Sequence, residues 1–241
     1  IACQRVDPMK QVQRQQNNNV VVLIMKKILA KHKEFWTEGH LILEVFVGIF
    51  LLFLSLVATY YANYYTLTSA SNSVTDIFLD NLPVINVSFV FNEGAFIFLG
   101  FIGLILIREP KRISFILKAI AIFMLIRSVF MTLTHLAPPL GMLPADTSDI
   151  IYKLSSGNDL FFSAHTGMPF LLAIIFWNHK YLKYIFLACS MIGGTAVILG
   201  HLHYSIDVFS AFFISFGIFH IAKWMFNNDY RMLRAADVKN S

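Results

Sequence analysis

The sequence predicts an all-α membrane protein of six transmembrane helices, with both termini cytoplasmic and a polar site open to the outer leaflet. Three observations carry this reading. The 241 residues are 57% hydrophobic and only 14% charged, against roughly 25% charged in a typical soluble domain, and mean hydropathy is +0.64. Apolar runs of spanning length recur along the chain. Basic residues collect in alternate connections between those runs.

A spanning helix needs about 20 mostly apolar residues. Such runs fall near residues 41–60, 86–107, 113–134, 160–177, 181–200 and 204–226. No period-two alternation is visible, so helices are expected rather than an outer-membrane barrel. No internal repeat is evident. Residues 1–35 read as a polar, basic N-terminal segment, residues 36–228 as the six-helix domain, and residues 229–241 as a short cytoplasmic tail. The low-complexity stretch "QVQRQQNNN" has almost nothing to bury, so residues 1 to 19 or so are expected to be disordered. No apolar core followed by a small-residue cleavage site is present there, as a secretory signal would need. Cys3 and Cys189 are badly placed to pair and imply no disulfide framework.

The connections set the orientation. Lys26, Lys27, Lys31 and Lys33 precede the first span, and Arg108, Lys111 and Arg112 follow the second. Lys180 and Lys183 follow the fourth, and Lys223, Arg231, Arg234 and Lys239 close the chain. Of the 19 Lys and Arg, only Arg127 and Lys153 fall outside this side. By the positive-inside rule both ends are cytoplasmic. The net charge of +5 therefore reflects topology, and no nucleic-acid partner is implied.

Within this layout four distant segments deliver polar groups to one depth of the outer leaflet. They are Glu93, Arg127, the trio Asp159, Ser163 and His165, and the group His201, His203 and Asp207. Intramembrane ionisable residues are costly and usually functional. His203 and Asp207 are four apart and share a helical face, where a carboxylate can fix the imidazole tautomer. That pair also fits a purely structural hydrogen bond. His165 alone fits an interfacial histidine, but beside the pair it supplies a second proton-transfer group. Arg127 needs an anionic partner, either Glu93, an Asp or a substrate phosphate. Ser163 lies in "FSAHT", which is not the G-x-S-x-G elbow of serine hydrolases. His165, His201, His203 and Asp207 have ligand chemistry, but no Cys assists and no metal or other cofactor is expected. Glu44 and Lys118 lie near the cytoplasmic interface, where snorkelling is cheap, and are given no role. Asn86-Val-Ser88 is a glycosylation sequon against a span and is expected to be unused. "TLTSASNSVTD" reads as an outer loop.

"GNDLFFSAHT", followed some forty residues later by "HYSIDVFSAFF", resembles the paired motifs of sphingomyelin synthases and their relatives. These form a branch of the type 2 phosphatidate phosphatase and lipid phosphotransferase superfamily. Asp159, Ser163, His165 and Thr166 match the first motif, and His203, Tyr204, Asp207, Val208 and Ala211 the second. "RSVFMTLTHLAPP" resembles a third family stretch through Arg127, Met131, Thr134 and Leu136, and "VSFVFNEGAFI" places Glu93 at the family's intramembrane glutamate. The likeness covers roughly residues 80 to 228. Ala164 stands where the family has Gly, Gly157-Asn158 replaces its Cys-Gly, and the basic phosphate cradle of classical phosphatidate phosphatases is missing. With Arg127 as the one base buried in a span, a singly charged phosphodiester is the better electrostatic match than a monoester dianion.

The resemblance implies a membrane phospholipid substrate and a phosphohistidine route. His203, held by Asp207, would attack phosphorus, while His165 would protonate the departing diacylglycerol oxygen. His165 would then activate the acceptor, a ceramide-like alcohol or water. Arg127, Glu93, Asp159, Ser163 and Tyr204 would bind the substrate. A phosphomonoesterase acting on phosphatidate or an isoprenyl diphosphate, a phospholipase C-like hydrolase, and a non-catalytic lipid-binding protein are the rival readings. The site would face the periplasm or an organelle lumen, and the short connections point to a bacterial inner membrane.

Overall fold

A computed structural model describes residues 8–141 and 160–238. Eight α-helices and one 3₁₀ turn, with no strand among the described residues, follow one another as α1 (Pro8–Thr37), α2 (Gly39–Ser69), α3 (Ser88–Arg108), the turn Pro110–Arg112, α4 (Ile113–Leu133), α5 (Ala164–Ile175), α6 (Leu182–Leu199), α7 (Ser205–Met225) and α8 (Asn227–Val238). Five of these elements are long and apolar enough to cross a membrane: α2, α3, α4 with its preceding turn, α6 and α7. They make the chain a multi-pass membrane protein by length and composition.

The fourth expected span is the exception. Helix α5 has 12 residues, about 18 Å at 1.5 Å per residue, too short to cross a core of about 30 Å alone. Residues 160–163, expected as its first turn, are not helical. The reason is its position. Thr166, Gly167, Leu171, Leu172 and Ala173 are buried, and α5 is enclosed by α6 and α7. Irregular backbone at membrane depth is tolerated where protein covers it. The Leu160–Ser163 segment is covered in this way, because its polar groups bond to α4 and to the start of α7.

Helix α2 packs along α4, and α4 along α7. The main core runs through Phe115, Phe123, Phe162, Leu171, Phe176, Phe186 and Ile218. The outward faces stay apolar: Phe46, Ile49, Phe50 and Phe53 of α2 and Phe213 of α7 are exposed, as helices solvated by hydrocarbon require. Helix α2 runs past its expected end at residue 60 to Ser69. Exposed Tyr60, Tyr61, Tyr64 and Tyr65 crowd that extension, while exposed Trp177, Tyr181, Tyr184 and Trp224 lie at the other end of the bundle. Aromatic residues concentrate in this way at the two interfaces of a bilayer.

The basic end departs from expectation in three respects. Residues 8–19, where disorder was expected, form the start of α1. Lys118 does not snorkel. It is 1% exposed and binds Glu44 and Asp229, with Nζ 2.7 Å from the Asp229 carboxylate. Ser114 Oγ donates to the same carboxylate at 2.6 Å, so α8, which includes the residues read as a short cytoplasmic tail from 229, is moored to the bundle. Arg112 binds Asp237 at 2.7 Å and completes the mooring.

Candidate active site

The end of the bundle opposite these lysines holds the polar residues, and backbone bonds assemble it. The strap between α2 and α3, residues 70–87, carries most of the stretch read as an outer loop, whose first residues, 66–69, instead end α2. Ser71 N–H donates to the His135 carbonyl at 2.7 Å, and Ile85 N–H to the Leu199 carbonyl at 2.8 Å. The strap thus joins the segment after α4 to the turn after α6.

Residues 160–163 are held from both sides. Arg127, 2% exposed, donates Nε–H to the Phe162 carbonyl at 2.7 Å, and its Nη1 lies 3.3 Å from Met131 Sδ. Ser163 N–H donates to the Asp207 carbonyl at 3.1 Å. His203 Nδ1 lies 2.7 Å from the Leu160 carbonyl. A carbonyl only accepts, so this contact puts the proton on Nδ1 and leaves the Nε2 lone pair as the ring's basic position.

The expected role of Asp207 shifts accordingly. Its Oδ2 is 3.5 Å from His203 Nδ1 but 2.9 Å from Tyr204 N–H, which donates to it. The Leu160 carbonyl is therefore the primary orienter of His203. Asp207 caps the start of α7 and sets the field beside the ring. It is fully buried, and its Oδ1 has no hydrogen-bond partner among the described residues.

His165, in the first turn of α5, stacks on Phe91 with ring centroids 4.1 Å apart, and its Nε2 lies 3.3 Å from the Phe91 carbonyl. It directly follows the 160–163 segment that Arg127 and His203 hold. Its backbone is equally constrained. Pro169 lacks the N–H that would bond the His165 carbonyl, and Gly193 of α6 packs on that carbonyl, where a Cβ would come within 2.4 Å of the oxygen.

His165, His203, Asp207 and Arg127 are thus brought together, but other expected site residues are not. Glu93 is exposed on α3 and forms no hydrogen bond or ion pair with a described residue. Tyr204, expected to touch substrate, is 1% exposed and acts as a strut: its hydroxyl donates to the Ala137 carbonyl at 2.8 Å and accepts from Val74 N–H at 3.2 Å. Ser163 is fully buried, and its Oγ accepts from Thr166 Oγ1 at 3.4 Å. Asp159 lies outside the described residues. His201 turns away from the pair, its ring between the carbonyls of Leu140 and Leu82 at 3.2 and 3.3 Å. Among the described residues no three His, Cys, Asp or Glu side chains converge as a metal site would need.

Four participants escaped the sequence reading. The Leu160 carbonyl and Phe91 leave no signal in a sequence, because any residue offers a carbonyl and apolar runs are full of phenylalanine. Gly193 could have been found from the Gly-Gly pair in a spanning helix, where small residues mark close packing. Asp76 could have been found as one of two acids, with Asp80, in a strap that has no base. Burial works to raise its pKa, but hydrogen bonds from Ser205, Phe78 and Leu79 outweigh this and hold the carboxyl below its usual range.

No curated protein matches the chain. Residues 156–224, which include both histidine segments, match the family model described as PAP2 superfamily C-terminal. Residues 1–155 lie outside that match, so Arg127 rests on the geometry alone and Glu93 on neither. Over that segment the chain is similar to the type 2 phosphatidic acid phosphatase superfamily, whose members are phosphatases and phosphotransferases.

Proposed function

We propose that the chain is an integral-membrane lipid phosphotransferase of sphingomyelin-synthase type, working through a phosphohistidine. The observation that carries the reading is the His203 ring, whose Nδ1 is held by the Leu160 carbonyl at 2.7 Å. Its Nε2 makes no hydrogen bond among the described residues. A nucleophile needs this arrangement, one nitrogen fixed and the other available.

In the first half-reaction the Nε2 lone pair attacks phosphorus of a phospholipid diester. The phosphorus–oxygen bond to diacylglycerol breaks, and His165 gives its proton to the departing oxygen. In the second, an acceptor hydroxyl attacks the phosphoramidate, the phosphorus–nitrogen bond breaks, and His165 takes the hydroxyl proton. A ceramide-like acceptor makes the enzyme a transferase, and water makes it a hydrolase. Arg127 is the sole Lys or Arg at this end among the described residues, and its charge steadies the phosphorane oxygens. With Nε committed to Phe162, it suits a singly charged diester better than a monoester dianion. Asp159 and Glu93 would meet a cationic head group, Glu93 after its exposed side chain turns inward. The site would open to the outer leaflet, as the distribution of basic residues implies.

Turnover of fluorescent-tailed phosphatidylcholine, phosphatidylethanolamine and phosphatidate in liposomes, with and without ceramide, tests the reading. Ceramide-dependent formation of a phosphosphingolipid is expected. His203→Ala should lower it about a thousandfold or more, as loss of a covalent nucleophile does. Release of diacylglycerol from phosphatidate alone would instead assign a monoesterase. Turnover of any lipid that survives in His203→Ala would end the phosphohistidine mechanism.

A further inference from the structure

The proposed chemistry uses His203 and its neighbours but leaves a carboxylate in the strap without a task. Asp76 is 9% exposed, and its two oxygens do different work. Oδ1 accepts from Phe78 N–H at 2.9 Å and Leu79 N–H at 3.3 Å, a local turn that asks only for an acceptor. Oδ2 reaches across 129 positions of sequence to accept from Ser205 N–H at 2.7 Å.

Ser205 is the first residue of α7 and stands midway between His203 and Asp207. Helix starts leave N–H groups that need partners, and a carboxylate there also meets the positive end of the helix dipole. Asp207 supplies the partner for Tyr204 N–H, and Asp76 supplies the one for Ser205. Around this bond Leu79 of the strap packs with Leu160 and Tyr204, and the Leu160 carbonyl is the group that orients His203. The strap therefore touches the nucleophile's support at two points, one polar and one apolar.

We propose that Asp76 is a positioning residue for the histidine nucleophile, acting in trans through the Ser205 amide to fix the start of α7 and with it the His203 ring. This rests on the functional reading above for its effect on turnover, but the geometry can be tested without turnover. Two variants cut the same bond from opposite sides. Asp76→Asn can keep the local turn through its amide oxygen while presenting an N–H₂ group to Ser205. Ser205→Pro removes the donor at a position where helices accept proline, and Tyr204, at φ −69° and ψ 155°, already has the extended conformation that precedes proline.

The first readout is carbethoxylation of His203 by diethyl pyrocarbonate in detergent, mapped by mass spectrometry, which needs no substrate. Each variant should raise the rate at His203 several-fold. The second is kinetics on the phospholipid the wild type turns over best. There kcat should fall roughly ten- to a hundredfold, the scale of a misplacement of about 1 Å, with KM within about twofold. The Asp76→Asn/Ser205→Pro double variant should be no worse than either single one. Wild-type modification rates in both single variants would overturn the proposal, as would losses that add in the double variant or a change confined to KM. If the wild type turns over no lipid, the functional reading fails, and the modification rate alone decides the role of Asp76. Should Asp76→Asn fail to fold, Ser205→Pro decides it.

Discussion

At Gly193 a single hydrogen atom separates a tolerated helix crossing from a collision. The Cβ of an alanine there would lie 2.4 Å from the His165 carbonyl oxygen and 3.1 Å from its carbon. Backbone cannot swing aside as a side-chain tip can, so α5 and α6 must part. Overpacking of this kind costs about 1–3 kcal/mol, and here it is applied directly to a proposed proton-transfer residue. Gly193→Ala is therefore expected to lower the thermal unfolding midpoint in detergent and to lower kcat further than the stability loss alone explains. Wild-type turnover with a lowered midpoint would show that the His165 ring is insensitive to its own backbone. At this scale the sequence marked candidate groups better than their supports. His165, His203, Asp207 and Arg127 were legible because ionisable groups stand out in hydrocarbon. The Leu160 carbonyl and the Asp76 bond were not, because they depend on backbone brought together from 43 and 129 positions away.

At the scale of elements, the long apolar runs gave α2, α3, α4, α6 and α7 because the required length is set by the bilayer. Helix α5 was read too long, since an apolar run shows that a segment is buried without showing where its helix starts. Helix α8 was missed as a packed element because its anchor, Asp229, lies in a polar sequence that looks like a tail. Its mooring makes a clear prediction. Lys118 is enclosed, with Asp229 and Glu44 as its partners and the Phe226 ring 5.0 Å away. Replacing Lys118 with Met should destabilise the protein by about 3–5 kcal/mol, because Asp229 is left buried without its counter-charge. Adding Asp229→Leu should recover much of that loss. Thermal unfolding of the two variants in the same detergent measures both effects. A single variant as stable as the wild type would mean that Lys118 adds nothing to the hold of Leu233, Ser114 and the Arg112–Asp237 pair on α8.

For the whole molecule, charge and geometry agree on which residues share an end, and that agreement yields a topology that can be tested. The ion pairs Lys31–Glu109, Lys111–Glu34, Arg112–Asp237 and Lys118–Asp229 all lie at one end. The strap, the turn after α6 and the histidines lie at the other. Only the assignment of the ends to the two sides of a membrane depends on the positive-inside rule. Two reporters in a background of Cys3→Ser and Cys189→Ala decide it. Thr75→Cys places a thiol on the exposed strap, and Lys180→Cys places one on the exposed turn between α5 and α6. In sealed vesicles of native orientation, an impermeant maleimide should label Thr75→Cys at once and Lys180→Cys only after the membrane is opened. The reverse pattern would turn the proposed site toward the cytoplasm and its inner-leaflet lipids while leaving the histidine chemistry intact. Immediate labelling of both would contradict the bundle itself, since the strap and that turn lie at opposite ends of it.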